Sequence, residues 1–386
     1  MTPPWPSPAA TSSLPSADLF PEAMGDALHS EAALRRASAR RRLPFAVAGA
    51  CGAVLLGAQP TAQGDAPAGG QTLNGVSFSR YTEHSENSER ARRLLSPFAA
   101  ARLQSDLARS GSTLAGQPLN VAEEKFILYL PALRPKNGFG LLVFVPPWQD
   151  ARIPPGWAAV LDRYGMIFVS AARSGNEESA FDRREPLALL AADNVMAQYP
   201  VDQEHVYIGG FSGGSHVALR VALGYPDLFR GVMLNAGSDP IGNRDIPLPP
   251  RDLFLQFQGR TRIAYVTGER DAAHAAEDMI SVRSMHRWCV FNTDSQTEFR
   301  AEHAVAGAAA LSRALRYLEE RARAETERLA KCRAGIDGEL TPSLESVDTL
   351  IGQGRRADAQ KQLVAIDERF GGLAAPRSVE LAARLR

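Results

Sequence analysis

The chain has 386 residues, and 43 Lys and Arg balance 43 Asp and Glu, so the formal net charge is zero. That length allows roughly two to three domains, or one large domain with appendages. Neutrality argues against a strongly basic nucleic-acid binder, and 45% hydrophobic residues argue against a charged disordered chain and supply a sizeable core. Three cysteines are too few for a disulfide scaffold and too scattered for a metal site.

Residues 1–30 are rich in Pro, Ser and Ala without apolar periodicity and are expected to be disordered. Arg35, Arg36, Arg40, Arg41 and Arg42 then precede an uncharged run, Leu43–Ala58, in the layout of an export signal. At about 16 residues the run is shorter than the ~20 a spanning helix needs. Residues 1–58 are therefore read as a disordered leader and signal peptide, with Met24 as an alternative start. The expected location is secreted or periplasmic, with no stable membrane insertion after leader cleavage. Cys51 makes a poor lipoprotein pattern, because Ala48 stands where a larger aliphatic residue is preferred. Export would place Cys289 and Cys332 in an oxidising compartment, where pairing and two separate thiols both remain open.

Residues 59–125 form an N-terminal extension, with strands expected over 71–81 and 125–130 and helical spacing over Glu89–Ala108. From residue 138 onward, strands and helices alternate. Gly140–Val145, Met166–Ser170, His205–Ile208, Gly231–Asn235 and Arg262–Thr267 are short apolar runs, completed by Trp288–Asn292 or Gln296–Phe299. Helices are expected over Trp157–Tyr164, Pro186–Gln198 and Ser215–Gly224. Continuous apolar strands separated by helices require a mostly parallel sheet covered on both faces, which is an α/β fold. Ligands of such sheets bind beyond the carboxyl ends of the strands. The catalytic domain is read as residues 126–320, and 321–386 as a C-terminal helical extension. Leu311–Ala334 has the mixed charge of an exposed helix, and two or three short helices are expected over Thr341–Arg386. Gly354–Ala359 resembles the turn of a tetratricopeptide-like hairpin. A single copy cannot bury its own face, so it is read as a cap on the main domain, with a protein-partner module as the alternative.

The chemistry concentrates at Gly210-Phe211-Ser212-Gly213-Gly214, a G-x-S-x-G that directly follows one expected strand and precedes a helix. That strand–sharp turn–helix context exposes a serine Oγ at the top of a sheet, beside a helix N-terminus that favours negative charge. Together with Tyr225-Pro226-Asp227-Leu228-Phe229, it resembles the serine α/β-hydrolases, in particular bacterial esterases related to polyhydroxybutyrate depolymerases. The resemblance covers roughly residues 125–320 and implies an eight-stranded, mostly parallel sheet and a chain order of serine, acid, histidine.

In that order Ser212 is the candidate nucleophile. Asp271, at the carboxyl end of Arg262–Thr267, is the candidate acid, with Asp239 after Gly231–Asn235 as its competitor. Asp271 also stands where a helix cap would. His303 is the candidate base, with His274 as a fallback and His216 read as a packed or substrate-lining residue. The oxyanion hole needs two backbone donors. Gly213 supplies one; Pro146 and Pro147 have no N–H, so Trp148 or Gln149 is expected to supply the other. Asp239–Gly259, rich in Pro and Phe, is expected to cover the crevice.

These residues imply two-step acyl transfer on a small or polymeric ester, without metal or organic cofactor. No HExxH, CxxC pair, P-loop or GxGxxG is present. A serine peptidase of the same fold, and a catalytically idle scaffold binding a partner through its helical tail, are the alternatives.

Overall fold

A computed structural model describes residues 70–114, 116–320 and 326–385. The expected leader, residues 1–58, lies outside the described residues.

Eight strands form one sheet: β1 (Gln71–Val76), β2 (Phe126–Leu130), β3 (Phe139–Val145), β4 (Met166–Ala171), β5 (Val201–Phe211), β6 (Gly231–Asn235), β7 (Arg262–Gly268) and β8 (Thr293–Glu298). Their spatial order is β1-β2-β4-β3-β5-β6-β7-β8. β2 runs antiparallel to both β1 and β4, and every other pairing is parallel. This is the α/β-hydrolase fold.

Successive strand residues point to opposite faces, so the apolar runs feed two separate cores. On one face Leu141, Val143, Ile167, Val169, Ile208 and Leu234 pack against α4 (Glu185–Gln198) and α5 (Gly213–Gly224). On the other, Leu142, Phe144, Phe168, Tyr207 and Met233 pack against α3 (Trp157–Tyr164) and α8 (Ala308–Glu319). The central strands need apolar residues on both sides. The edges do not: β1 is mostly exposed, and β8 reads Thr-Asp-Ser-Gln-Thr-Glu.

Several local expectations are corrected. The helix expected over Glu89–Ala108 is two, α1 (Asn87–Leu94) and α2 (Pro97–Arg109). Ser96 caps the second through Ala99 N–H, and Pro97 opens it, where a missing N–H does no harm. The first strand stops at Val76. Of the two candidates for the last strand, Trp288–Asn292 is a turn, with Cys289 at φ 63°, and the polar stretch Thr293–Glu298 is the strand. The helix expected over Leu311–Ala334 is interrupted, since α8 ends at Glu319 and α9 runs over Thr326–Gly352, through Pro342.

Asp239–Gly259 does not serve as an apolar cover. Its Ile241, Ile246, Leu248, Phe254 and Phe257 are all buried in the core, the last two on α6 (Arg251–Arg260). They share that core with Leu340, Val347, Leu363 and Phe370 of α9 and α10 (Arg356–Phe370). Gly372 N–H donates to Leu248 O at 2.7 Å, and a Cβ on Gly372 would stand 2.5 Å from Pro250 N. The proline-rich segment is thus a seat for the C-terminal helices, which end with α11 (Arg377–Arg384). At the other end of that seat, Asp367 accepts hydrogen bonds from Ser96 Oγ and Phe98 N–H.

Cys289 and Cys332, 43 positions apart in sequence, form a disulfide with Cα atoms 5.8 Å apart. It ties the turn before β8 to α9. Closing a loop of that length restricts the unfolded chain, typically by about 2–4 kcal/mol. Reduction, or the Cys289→Ser/Cys332→Ser pair, is expected to lower the unfolding free energy by about that amount in denaturant titrations. An unchanged midpoint would contradict this.

Candidate active site

The turn at Ser212 is where sequence dictates geometry most tightly. β5 ends at Phe211, α5 begins at Gly213, and Ser212 joins them at φ 51°, ψ −127°, a strained conformation for a residue with a Cβ. The flanking glycines make it feasible. A Cβ on Gly210 would stand 2.2 Å from Gly214 O, and one on Gly214 would stand 2.0 Å from Val145 O. Ser212 N–H donates to Asn235 O at 2.9 Å and its carbonyl accepts from Ser215 N–H at 2.8 Å, fixing both sides of the turn.

The structure brings three of the sequence-singled residues together. His303 Nε2 lies 3.0 Å from Ser212 Oγ, and His303 Nδ1 lies 2.8 Å from Asp271 Oδ2. Asp271 occupies the N-cap of α7 (Ala272–Arg287), so the cap position and the contact with His303 coincide in one residue. Burial pushes its carboxyl pKa up, but hydrogen bonds from His274 and His303 outweigh that and hold it below the usual range. With Asp271 ionised, both imidazole Nδ1 atoms carry their proton toward it. Asp271 thereby links both imidazoles in one hydrogen-bonded cluster.

Asp239 does not reach His303. It bonds His216 Nδ1 at 2.7 Å instead, and this hydrogen bond raises the His216 pKa above its usual value. Gly237 stands between that pair and the turn: a Cβ there would be 2.7 Å from Ser212 O and 3.0 Å from His216 Nε2. His274 is not a second base for Ser212 in this arrangement, since its Nδ1 is bonded to Asp271 Oδ1 at 2.7 Å.

The loop after β3 passes against the elbow helix through Val145 and Pro146. The Trp148 ring lies 6.2 Å from both Phe144 and Phe211, and Phe211 in turn lies 4.9 Å from the His303 ring. Gln149 is anchored: its carbonyl accepts from Arg173 N–H at 2.7 Å, and its amide donates to Glu177 and Glu178.

Four residues with polar groups in or near the site were not singled out from sequence. Arg184 donates to Ser174 O and Pro146 O, both at 2.9 Å, and so locks the loops after β3 and β4 together. Burial lowers its pKa to about 10, which leaves it charged at neutral pH. Asn235 accepts from Ala306 N–H at 2.6 Å and donates to Val266 O at 2.9 Å, pinning the segment that follows His303 to β6 and β7. Trp157 Nε1 holds the same segment through Ala306 O at 2.7 Å. Asn176 sits over the elbow, where a Cβ on Gly213 would come 2.2 Å from its Oδ1. A polar residue at a strand's carboxyl end is the only sequence signal for Asn176 and Asn235.

No family model matches the chain. A poly(3-hydroxybutyrate) depolymerase from Ralstonia pickettii is 28% identical over 98 residues, covering 22% of this chain and 20% of that protein. The chain thus aligns with about one fifth of that relative's length. It resembles the depolymerase-related esterases, as Gly210–Gly214 and Tyr225–Phe229 imply. Among solved structures, a ferulic acid esterase is 15% identical, covering 50% of this chain and 91% of that one, with a TM-score of 0.39. S-formylglutathione hydrolase from Staphylococcus aureus is 12% identical over 52% of this chain and 94% of that one, with a TM-score of 0.40. Dipeptidyl peptidase 4 from Porphyromonas gingivalis is 13% identical over 52% of this chain and 34% of that one, with a TM-score of 0.37. These structural likenesses concern the fold alone.

The elbow contacts give a direct test. Gly214→Ala forces a Cβ onto the Val145 carbonyl, a backbone atom that cannot swing away, and overpacking of this kind typically costs about 1–3 kcal/mol or more. A clear fall in thermal midpoint is expected by calorimetry. Wild-type stability in that variant would contradict the turn's geometry.

Proposed function

We propose that the protein is a carboxylic ester hydrolase in which Ser212 attacks, His303 moves the proton and Asp271 orients His303. The observation that carries this reading is the continuous chain Ser212 Oγ–His303 Nε2–His303 Nδ1–Asp271 Oδ2, at 3.0 Å and 2.8 Å.

Asp271 accepts from Nδ1–H, so Nε2 is left as the acceptor facing Ser212. His303 takes the Ser212 proton as Oγ attacks the ester carbonyl, and the imidazolium is stabilised by Asp271. The carbonyl oxygen becomes an oxyanion at the N-terminus of α5, where the Gly213 N–H and the helix dipole favour negative charge. Trp148 or Gln149 N–H is the proposed second donor. His303 then returns the proton to the departing alcohol. Water, deprotonated by His303, attacks the acyl-Ser212 ester, and collapse releases the acid and restores the serine.

Phe211 and Trp148 give the surroundings of Ser212 an aromatic side, which suits the uncharged part of an ester. Export of the protein is proposed with this function. The support is the basic-then-apolar segment Arg35–Ala58 together with the Cys289–Cys332 pair, which persists in oxidising compartments. Among the described residues, no helix is long and apolar enough to cross a membrane.

Turnover of p-nitrophenyl acetate and butyrate tests the assignment. Ser212→Ala is expected to lower kcat by about 10⁶-fold and Asp271→Asn by about 10⁴-fold, the second by disturbing the imidazole's orientation. Asp239→Asn, whose partner is His216, is expected to cost far less. Equal losses for the two aspartate variants, or an active Ser212→Ala, would overturn the assignment.

A further inference from the structure

An oxyanion formed on Ser212 lies in front of the N-terminus of α5, and one side chain, Asn176, reaches that place from another loop. Gly213 is the first residue of α5, and the Cβ direction of a helical residue tilts toward the N-terminus. A Cβ built on Gly213 would run into the Asn176 carboxamide, with Cγ at 2.8 Å, Nδ2 at 3.1 Å and Oδ1 closer still. The carboxamide therefore stands beside the Gly213 N–H, one of the first helical N–H groups that find no partner inside a helix. Asn176 is exposed, and among the described residues its carboxamide makes no hydrogen bond.

The backbone that carries this free amide is firmly held. Asn176 N–H donates to Pro147 O at 3.1 Å, and Arg173 N–H donates to Gln149 O at 2.7 Å. Between them, a Cβ on Gly175 would stand 3.0 Å from the Trp148 carbonyl carbon. Arg184 adds its bonds to Ser174 O and Pro146 O. The loop after β4 is thus locked onto the loop after β3, and together they face the elbow. The other side-chain amide of this unit, on Gln149, is already engaged by Glu177 and Glu178.

We propose that Asn176 is a further catalytic residue, whose side-chain N–H donates to the oxyanion beside the Gly213 N–H. The proposal rests on the esterase reading above. It gives a part to a side chain that no structural contact employs, next to a loop in which Pro146 and Pro147 bring no N–H.

Oδ1 is the end of the amide nearer Gly213, and a half-turn about Cβ–Cγ exchanges it for Nδ2, a torsion with a broad two-fold preference. As negative charge develops on the ester oxygen, the donor end is favoured, because an acceptor facing an oxyanion repels it. The ground-state carbonyl carries less charge, so the contact strengthens on the way to the transition state. A contact of that kind raises kcat and leaves KM nearly unchanged. Gly213 is required for it, since any side chain there would displace the amide.

The experiment compares full-length wild type with Asn176→Ala and Asn176→Asp, the second keeping the shape of the side chain while removing its donor. With p-nitrophenyl acetate, both variants are expected to lose about 10²- to 10³-fold in kcat, with KM within about threefold of wild type. The second readout is the affinity for heptyl trifluoromethyl ketone. Ser212 Oγ adds to its carbonyl carbon, the hydroxyl proton passes to His303 and the carbonyl π pair becomes the oxyanion of a hemiketal. That adduct is expected to weaken in the variants by about the factor lost from kcat/KM. Residues that merely shape the loop would be replaced without loss by the isosteric Asn176→Asp. Wild-type kcat in either variant, losses confined to KM, or unchanged ketone affinity would overturn the proposal while Ser212→Ala remained inactive. If wild type hydrolysed no ester, the esterase reading would fall. Ketone binding would still decide the role of Asn176, a weaker adduct in both variants supporting it, and equal binding or no adduct in wild type overturning it.

Discussion

Everything at the site depends on a single backbone turn that only glycine neighbours permit. Ser212 sits at φ 51°, and Gly210 and Gly214 pass so close that either Cβ would collide with main-chain atoms. This closeness brings the end of β5, the start of α5 and the loop after β3 to one point. The hydroxyl, the helix N-terminus and the candidate oxyanion loop then share a few ångströms without any side chain having to place them. Strain of this kind persists only where the surrounding sheet over-determines it, and β5 lies centrally, paired on both sides with buried parallel strands.

The remaining groups arrive from other strand ends and are fixed by buried polar contacts. Asp271 reaches its place as the cap of α7, and His303 through a segment held by Asn235 and Trp157. Arg184 binds the two loops on the opposite side of the sheet's midpoint, after β3 and β4, through their carbonyls. Each of these residues satisfies main-chain groups that would otherwise be buried without partners. The C-terminal part of the molecule is held differently. There the seat over Ile241–Phe257, the helices α9–α11 and the Cys289–Cys332 bond form a mostly apolar assembly.

Much of the site was legible in the sequence because its signals are local or ordinal. The elbow needs five consecutive residues between a strand and a helix. Asp271 and His303 follow from their position after successive strands, although Asp239 stayed a competitor until geometry paired it with His216. What escaped was set by contacts between distant segments. Asn176 over Gly213 and Asn235 under the His303 segment have no local pattern to announce them. In the fold, apolar composition marked the central strands but misled at β8, because an edge strand needs no double burial. It misled again at Asp239–Gly259, where proline and phenylalanine suggested a cover for the crevice. Those residues instead bury against helices more than 80 residues further along the chain.

The central claim is that Ser212 is an activated nucleophile. Incubating the folded full-length protein with a fluorophosphonate probe at neutral pH, followed by peptide mass spectrometry, tests it most directly, because covalent capture needs the activated hydroxyl and no knowledge of the natural ester. The expected result is a single adduct on the peptide carrying Gly210–Gly214, located at Ser212 and lost in Ser212→Ala. A folded protein that takes up no probe, or takes it up at another residue, would contradict the claim.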